Sequence, residues 1–595
     1  MNASLQAGAE APAPVEPHSS STLLEVRNLS VEFPIRSEVT TVVDNVSFTV
    51  QRGEILGIVG ESGAGKSMTG SAIIGLIDPP GRIAQGDIVF NGELVGEDAM
   101  GLRGRHIGMV FQDPLTSLNP LQRVGDQIVE TIRIHLGVGM AEATRRMKVA
   151  FEEVGLDPTR SRAYPHEFSG GMRQRAVIAL ALCAEPALII ADEPTTALDV
   201  SIQAQILELL KRVCKDRGAS VMLITHDMGV ISETTDRVAV LYQGKLVEIG
   251  QTRDIIERPQ HAYTNALIAC TPTIEGGSFE RDLVQIDRSG AEDIDGEFRL
   301  RAVQEVNAAD VNAALETSES SGCEQGVDST PFLIANGLSR EFDLSDPLLV
   351  RLLSFRRKRI LHAVSDVNFK IERGTTYALV GESGSGKSTI ARMAVGLLPP
   401  TKGTVTIDGT DLNDPDLDQA ERQALRRRIQ MVFQSPFASL NPRWRISAIL
   451  AEPLRAFNLA QGRESERVNE LLEQVGLSAS DRNRYPHEFS GGQRQRISIA
   501  RALASEPEFI ICDEPTSALD VSVQAQVLNL LKQLQRELGL TYLFITHDLA
   551  VVATMARQIG VLQSGKLVEE GDTLSLLNNP ATEYTRMLID SAPRL

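Results

Sequence analysis

EILGIVGESGAGKSMTGSAIIGL, Glu54–Leu76, is an apolar run, a glycine-rich loop and a helix-compatible segment in direct succession. The loop GESGAGKS (Gly60–Ser67) has the G-x-x-x-x-G-K-[ST] spacing of a phosphate cradle, and a strand before it with a helix behind it is the context that gives this spacing meaning. Glycines let successive backbone N–H groups turn inward toward phosphate oxygens. The helix N-terminus adds its positive dipole end. The pattern predicts an α/β fold in which Gly60, Glu61, Ser62, Gly63, Ala64, Gly65, Lys66 and Ser67 hold a nucleotide. Lys66 would bridge the β- and γ-phosphates, and the Ser67 hydroxyl would ligate Mg²⁺.

The reading repeats. TYALVG (Thr376–Gly381) leads into GESGSGKS, so Gly381, Glu382, Ser383, Gly384, Ser385, Gly386, Lys387 and Ser388 are expected to form a second cradle. YPHEFSGG starts at Tyr164 and Tyr485, DEPTTALDVSIQAQIL at Asp192 and DEPTSALDVSVQAQVL at Asp513, and ITHD at Ile224 and Ile545. Every pair, like the two cradles, is separated by 321 residues (381 minus 60, and likewise for the rest). A constant offset across four motifs is the mark of a duplication. The halves are expected at 22–273 and 331–595, after an Ala/Pro/Ser-biased leader, 1–21, that reads as disordered. Residues 274–330, rich in Gly, Ser, Glu and Asp, read as a flexible linker whose r.m.s. span of roughly 40 Å lets the halves sit face to face.

ALIIADEP (Ala187–Pro194) and EFIICDEP (Glu508–Pro515) are buried-strand runs that end in Asp-Glu. A strand that ejects two acids at its carboxyl end puts them at a ligand crevice. Asp192 and Asp513 are expected at Mg²⁺. Glu193 and Glu514 are expected to polarise an attacking water, since phosphoryl transfer asks mainly for positioning and charge stabilisation.

The net charge of −19 argues against the broad basic surface that nucleic-acid binding requires. Five scattered cysteines, none in a C-x-x-C pair, read as reduced thiols rather than a metal or disulfide framework. The most apolar stretch, around 176–191, is interrupted by Glu185 and Pro186 and is too short to span a bilayer. The leader has neither the basic nor the apolar region of a secretory signal.

With FQDPLTSLNP (Phe111–Pro120), FQSPFASLNP (Phe433–Pro442), FSGGM (Phe168–Met172) and FSGGQ (Phe489–Gln493) added, the chain resembles the ATP-binding cassette family over both halves. The resemblance implies two P-loop, RecA-like ATPase domains, each with an antiparallel β subdomain and a helical subdomain. It makes Gln112 and Gln434 the Q-loop glutamines, placed at both the metal and the attacking water, Asp199 and Asp520 the D-loop acids, and His226 and His547 the switch histidines. Phe33 and Phe342 match the aromatic that stacks on adenine. The family pairs its cassettes head to tail around two ATPs. Lys66 would then receive Ser490, Gly491, Gly492 and Gln493, and Lys387 would receive Ser169, Gly170, Gly171 and Met172. Met172 cannot hydrogen-bond as glutamine does, so two competent but unequal sites are expected.

SLNP, YPHEFSGG and RPQHAYTNALIACTP (Arg258–Pro272) together resemble the importers of dipeptides, oligopeptides and glutathione-like solutes. That branch implies two permease subunits docked near Gln112 and Gln434, a solute-binding protein outside, and a peripheral place on the cytoplasmic face of the inner membrane. The second tail, NPATEYTRMLIDSAP, carries Glu583 where the branch has proline, and the cysteine cluster of some relatives is missing, so no iron–sulfur centre is expected. Sugar-importer tandem ATPases, which usually have one degraded site, and cassette proteins acting on ribosomes or DNA, which are basic or zinc-bearing, fit less well.

Overall fold

The computed structural model describes residues 21–35, 38–96, 99–195, 198–274, 279, 281–285, 331–343, 360–517 and 519–595. The leader and most of the linker lie outside them. The first half runs β1 (Thr22–Ile35), β2 (Glu38–Gln51), β3 (Ile55–Val59), β4 (Arg82–Phe90), β5 (Glu93–Leu94), β6 (Ile107–Val110), β7 (Leu188–Asp192), β8 (Ser220–Thr225), β9 (Arg237–Tyr242) and β10 (Lys245–Gln251). The second repeats it: β11 (Pro331–Asp343), β12 (Ile360–Glu372), β13 (Thr376–Val380), β14 (Lys402–Ile407), β15 (Thr410–Asp411), β16 (Ile429–Val432), β17 (Phe509–Asp513), β18 (Thr541–Ile545), β19 (Gln558–Gln563) and β20 (Lys566–Asp572).

Each apolar run ahead of a P-loop is an inner strand of a six-stranded sheet. The orders are β10-β9-β3-β8-β7-β6 and β16-β17-β18-β13-β19-β20. The strands are parallel except for the edge hairpins β9–β10 and β19–β20. Every residue of β3, β7, β8, β13, β17 and β18 is buried. That explains their unbroken hydrophobic runs, because a parallel sheet is covered on both faces. The antiparallel sheets β2-β1-β4-β5 and β12-β11-β14-β15 form the second layer of each half.

The helices Val124–Leu136 and Met140–Glu153 of the first half, and Ile446–Ala456 and Glu464–Gln474 of the second, form the helical subdomains. Their apolar faces, including Ile128, Ile132 and Phe151, or Ile449, Leu450 and Leu472, pack into the same cores as the helices Gly170–Leu182 and Gly491–Leu503. In the second half, Arg373 and Arg428 clamp Phe332 with their guanidinium carbons 4.7 and 5.5 Å from the ring centroid. Both arginines pair with Asp408 and Glu508.

Part of the expected linker is held in place. Asn529 brackets Leu283, accepting from its N–H at 2.8 Å and donating to its carbonyl at 2.7 Å. Lys532 donates to the Arg281 carbonyl, and Arg536 meets both Asp282 oxygens at 3.1 Å. Residues 281–285 thus lie on the second-half helix Val521–Leu538 rather than running free.

Candidate functional site

The glycine loop between β3 and the helix Lys66–Ile73 is dictated by close backbone approach. A Cβ on Gly60 would sit 2.2 Å from the Leu241 carbonyl oxygen. Gly65 has φ +91°, and a Cβ there would lie 2.8 Å from the Val42 oxygen. The second loop repeats both constraints at Gly381 and Gly386. Lys66 is buried, with its ammonium donating to the carbonyls of Gly60 at 2.7 Å and Glu61 at 3.0 Å. Lys387 does the same with Gly381 at 2.6 Å and Glu382 at 2.9 Å. Burial draws both lysines below their ordinary range, against the pull of nearby acids that include Glu193 at one loop and Glu514 at the other.

The carboxyl ends of the neighbouring parallel strands deliver the remaining groups. Ser67 donates to Asp192 at 3.0 Å, and Ser388 to Asp513 at 3.1 Å. Burial pushes Asp192 up to about 6, restrained by Ser67 and Lys66, and raises Asp513 likewise. Glu193 is held at both oxygens: Gln112 Nε2 donates to one at 2.7 Å, and His226 Nδ1 to the other at 3.1 Å. Glu514 receives Gln434 at 2.7 Å and stands 3.5 Å from His547 Nδ1. Burial disfavours the charged imidazoles, but the glutamates outweigh it and hold both histidines above their ordinary value. Glu193 and Glu514 have φ +46° and +47°, in the left-handed region that costs a residue with a Cβ about 1–2 kcal/mol. Their N–H groups are pinned to the Ile224 and Ile545 carbonyls at 2.9 and 2.8 Å.

The two sites are also joined across the halves. Ser62 donates to Asp520 at 2.9 Å, and the N–H of Ser383 donates to Asp199. Asp520 and Asp199 therefore each reach the P-loop of the opposite half.

Comparison with known proteins fits this arrangement. A family model described as "ABC transporter" matches residues 43–196 and 364–517. One described as "Oligopeptide/dipeptide transporter, C-terminal region" matches 247–295 and 568–595. The glutathione import ATP-binding proteins GsiA of Escherichia coli K12 and of Shigella dysenteriae serotype 1 are each 42% identical over 97% of this chain and 91% of their own. The chain belongs to the ABC transporter family. It is a tandem ABC ATPase, a member of a family that binds nucleotide. A solved cassette structure, described as a dimeric post-hydrolysis state bound to ADP and Pi, is 32% identical and covers 40% of this chain and 98% of its own, with a TM-score of 0.35.

Several expected residues of the ABC ATPase also make structural contacts. Glu61 and Glu382, which the loop pattern places in the phosphate cradles, have hydrogen bonds at all three of their polar groups. Each N–H goes to a tyrosine hydroxyl, each carbonyl to the P-loop lysine, and each carboxylate to a serine of the opposite half. Ser169 and Ser490 cap the signature helices, accepting from the N–H of Met172 at 3.4 Å and of Gln493 at 3.3 Å. Gln493 returns its side-chain oxygen to the Ser490 N–H at 3.0 Å, closing a capping box that Met172 cannot close. Gly171 and Gly492 permit close packing: a Cβ would meet Ile202 at 2.7 Å and Val523 at 2.1 Å. Gly170 and Gly491 begin the two signature helices. The signature serines are exposed, and their contacts lie within their own halves. Phe33 is half-buried beside Gly81, and Phe342 lies under Arg340 with 5.0 Å from the guanidinium carbon to the ring centroid.

The donor set suits a hard cation. Asp192 and Ser67 place two oxygens together, and the buried carboxylate lies in a setting where positive charge would restore its ionised form. Among the described residues, no group of three or more His, Cys, Asp or Glu could hold a metal unaided. A cation there would complete its coordination with phosphate and water, as Mg²⁺ typically does.

Proposed function

We propose that this ABC ATPase energises the import of peptides or glutathione-like solutes, working with two permease subunits and a solute-binding protein at the cytoplasmic face of the inner membrane. The C-terminal regions after both cassettes and the names of the relatives support that solute class. No helix among the described residues is long and apolar enough to cross a membrane, which fits attachment through permeases.

On this reading Lys66 and Lys387 neutralise the β- and γ-phosphates. Ser67, Asp192 and Gln112, with Ser388, Asp513 and Gln434 in the second site, hold Mg²⁺, which supplies charge neutralisation of the phosphates. Glu193 and Glu514 polarise the attacking water, held in place by the glutamines and switch histidines. Signature residues Ser169, Gly170 and Gly171, and Ser490, Gly491 and Gly492, close on the nucleotide of the opposite half. Both sites retain the full set, so both hydrolyse. ATP bound between the halves favours the closed arrangement, and its cleavage releases them, since a ligand drives a conformational change through its differential affinity for the two states.

The observation that carries the reading is the reciprocal contact of Asp199 and Asp520 with the opposite P-loops. Glu193→Gln with Glu514→Gln should lower kcat by at least about 100-fold while Mg-ATP still binds, the usual loss for a general base. Wild-type turnover in the double variant contradicts the assignment. Cells lacking the gene should fail to take up labelled glutathione or dipeptides; undiminished uptake of both contradicts the solute class.

A further inference from the structure

Tyr263 and Tyr584 stand at matching places in the two C-terminal extensions, on the helices Ala262–Ala269 and Glu583–Asp590. Tyr263 is fully buried, its ring centroid 4.3 Å from that of Tyr242. Its hydroxyl accepts from the N–H of Glu61 at 3.2 Å, and the Tyr584 hydroxyl accepts from Glu382 at 3.2 Å. Glu61 then works in two directions. Its carbonyl holds the Lys66 ammonium at 3.0 Å, and its buried carboxylate accepts from Ser522 of the other half. Glu382 repeats this with Lys387 at 2.9 Å and Ser201 at 2.5 Å.

Beyond the tyrosines each extension crosses to the opposite half. Pro593 packs on Gly229 so tightly that a Cβ there would lie 2.9 Å away, and the Arg594 N–H donates to Glu233 at 3.0 Å. In the other direction, Ile274 packs against a cluster that apart from Val200 is made of second-half residues, including Val380 and Leu549. Both tails border a cavity of about 160 Å³ that also touches His226 and His547.

We propose that Tyr263 and Tyr584 are positioning residues for ATP binding. Each fixes the glutamate that both holds the P-loop lysine and docks that loop on the opposite half, so the C-terminal extension sets nucleotide affinity and ties it to closure. The proposal goes beyond the solute assignment and rests only on ATP binding at the two P-loops.

Tyr263→Phe and Tyr584→Phe keep the rings, fully buried at Tyr263 and half-buried at Tyr584, and remove only the hydroxyl that accepts the P-loop N–H. With the full chain, each variant should raise the KM for ATP with kcat within about twofold, roughly three- to tenfold for Tyr263→Phe, whose hydrogen bond is buried, and less for Tyr584→Phe, whose hydrogen bond is part-buried. A merely structural role would instead lower the active fraction and the Tm and leave KM alone. The wiring gives a second readout. Tyr263→Phe and Ser522→Ala both act on Glu61 and should be non-additive in KM. Tyr263→Phe and Ser201→Ala act on different glutamates and should add. An unchanged KM in both phenylalanine variants overturns the proposal, as does equal additivity in the two pairs. Absence of Mg-ATP hydrolysis by the unmutated chain overturns the ATPase reading and this inference with it.

Discussion

Replacing Gly65 by alanine tests whether the P-loop geometry itself limits nucleotide binding. Gly65 sits at φ +91° with the Val42 carbonyl oxygen 2.8 Å from where a Cβ would stand. Gly63, two residues earlier, has φ +82° and open space around the same position. Both alanines incur the left-handed backbone cost, roughly 1–2 kcal/mol. Only Gly65→Ala adds a clash with a backbone oxygen of a paired strand, which cannot rotate aside, for about 1–3 kcal/mol more. The expected totals are about 1–2 kcal/mol for Gly63→Ala and about 2–5 kcal/mol for Gly65→Ala. At 1.4 kcal/mol per decade, affinity at the Lys66 site should fall about five- to thirtyfold in the first and at least about thirtyfold in the second. If the loop relaxes without nucleotide, this strain is drawn from binding. If it stays fixed, the strain appears as a lower Tm. Calorimetric titration with Mg-ATP and thermal melting of the full chain measure both, with the untouched Lys387 site as internal reference. A Gly65→Ala chain that loses no more, in affinity and Tm together, than Gly63→Ala refutes the reasoning.

Two further outcomes follow from local chemistry. Met172→Gln should close the capping box that Gln493 already closes in the other half, stabilising the first-half signature helix by about 0.5–1 kcal/mol, visible as slower amide exchange in its first turn; exchange left unchanged contradicts the capping account. The Arg373–Arg428 clamp should respond to pH in a fixed direction. The Arg428 hydrogen bond, opposed by burial, lowers Glu508; at Asp408 burial is outweighed by Arg428 and Arg373, which lower it too. Carboxyls depressed in the folded state add stability that is present above their unfolded values, about 4, and is lost as pH falls through the folded ones. Arg428→Met should therefore lower the Tm at pH 7 and differ less from wild type near pH 3, and a gap that widens on acidification contradicts the clamp.

The grouping of each candidate site's residues was legible because they lie in short motifs beside the strands that carry them. Lys66, Ser67, Asp192, Glu193, Gln112 and His226 end or follow β3, β7, β6 and β8, and all emerge at the carboxyl ends of these parallel strands. The constant offset then transferred the first site to the second. What the sequence hid depends on contacts between distant residues. Glu61 reads as one more loop residue until Tyr263 and Ser522 are seen on either side of it. The signature glycines suggest an anion cradle, yet Gly171 and Gly492 are also constrained by Ile202 and Val523, on helices that local pattern does not link to them. The left-handed backbone of Glu193 and Glu514 has no signal in residue type, since glutamate rarely adopts it. The linker composition suggests a solvated chain, and only the buried Asn529 and Lys532 of a later helix reveal where residues 281–285 rest.

That docked segment gives the duplicated chain a direction. The first-half counterparts of Asn529, Lys532 and Arg536, each 321 residues earlier, are Glu208, Lys211 and Lys215, of which Glu208 and Lys215 are exposed to solvent. A gene with its two halves transposed would encode the same pair of catalytic centres. It would, however, offer the strap a glutamate where it needs an amide, so the order of the repeats is itself written into one helix face.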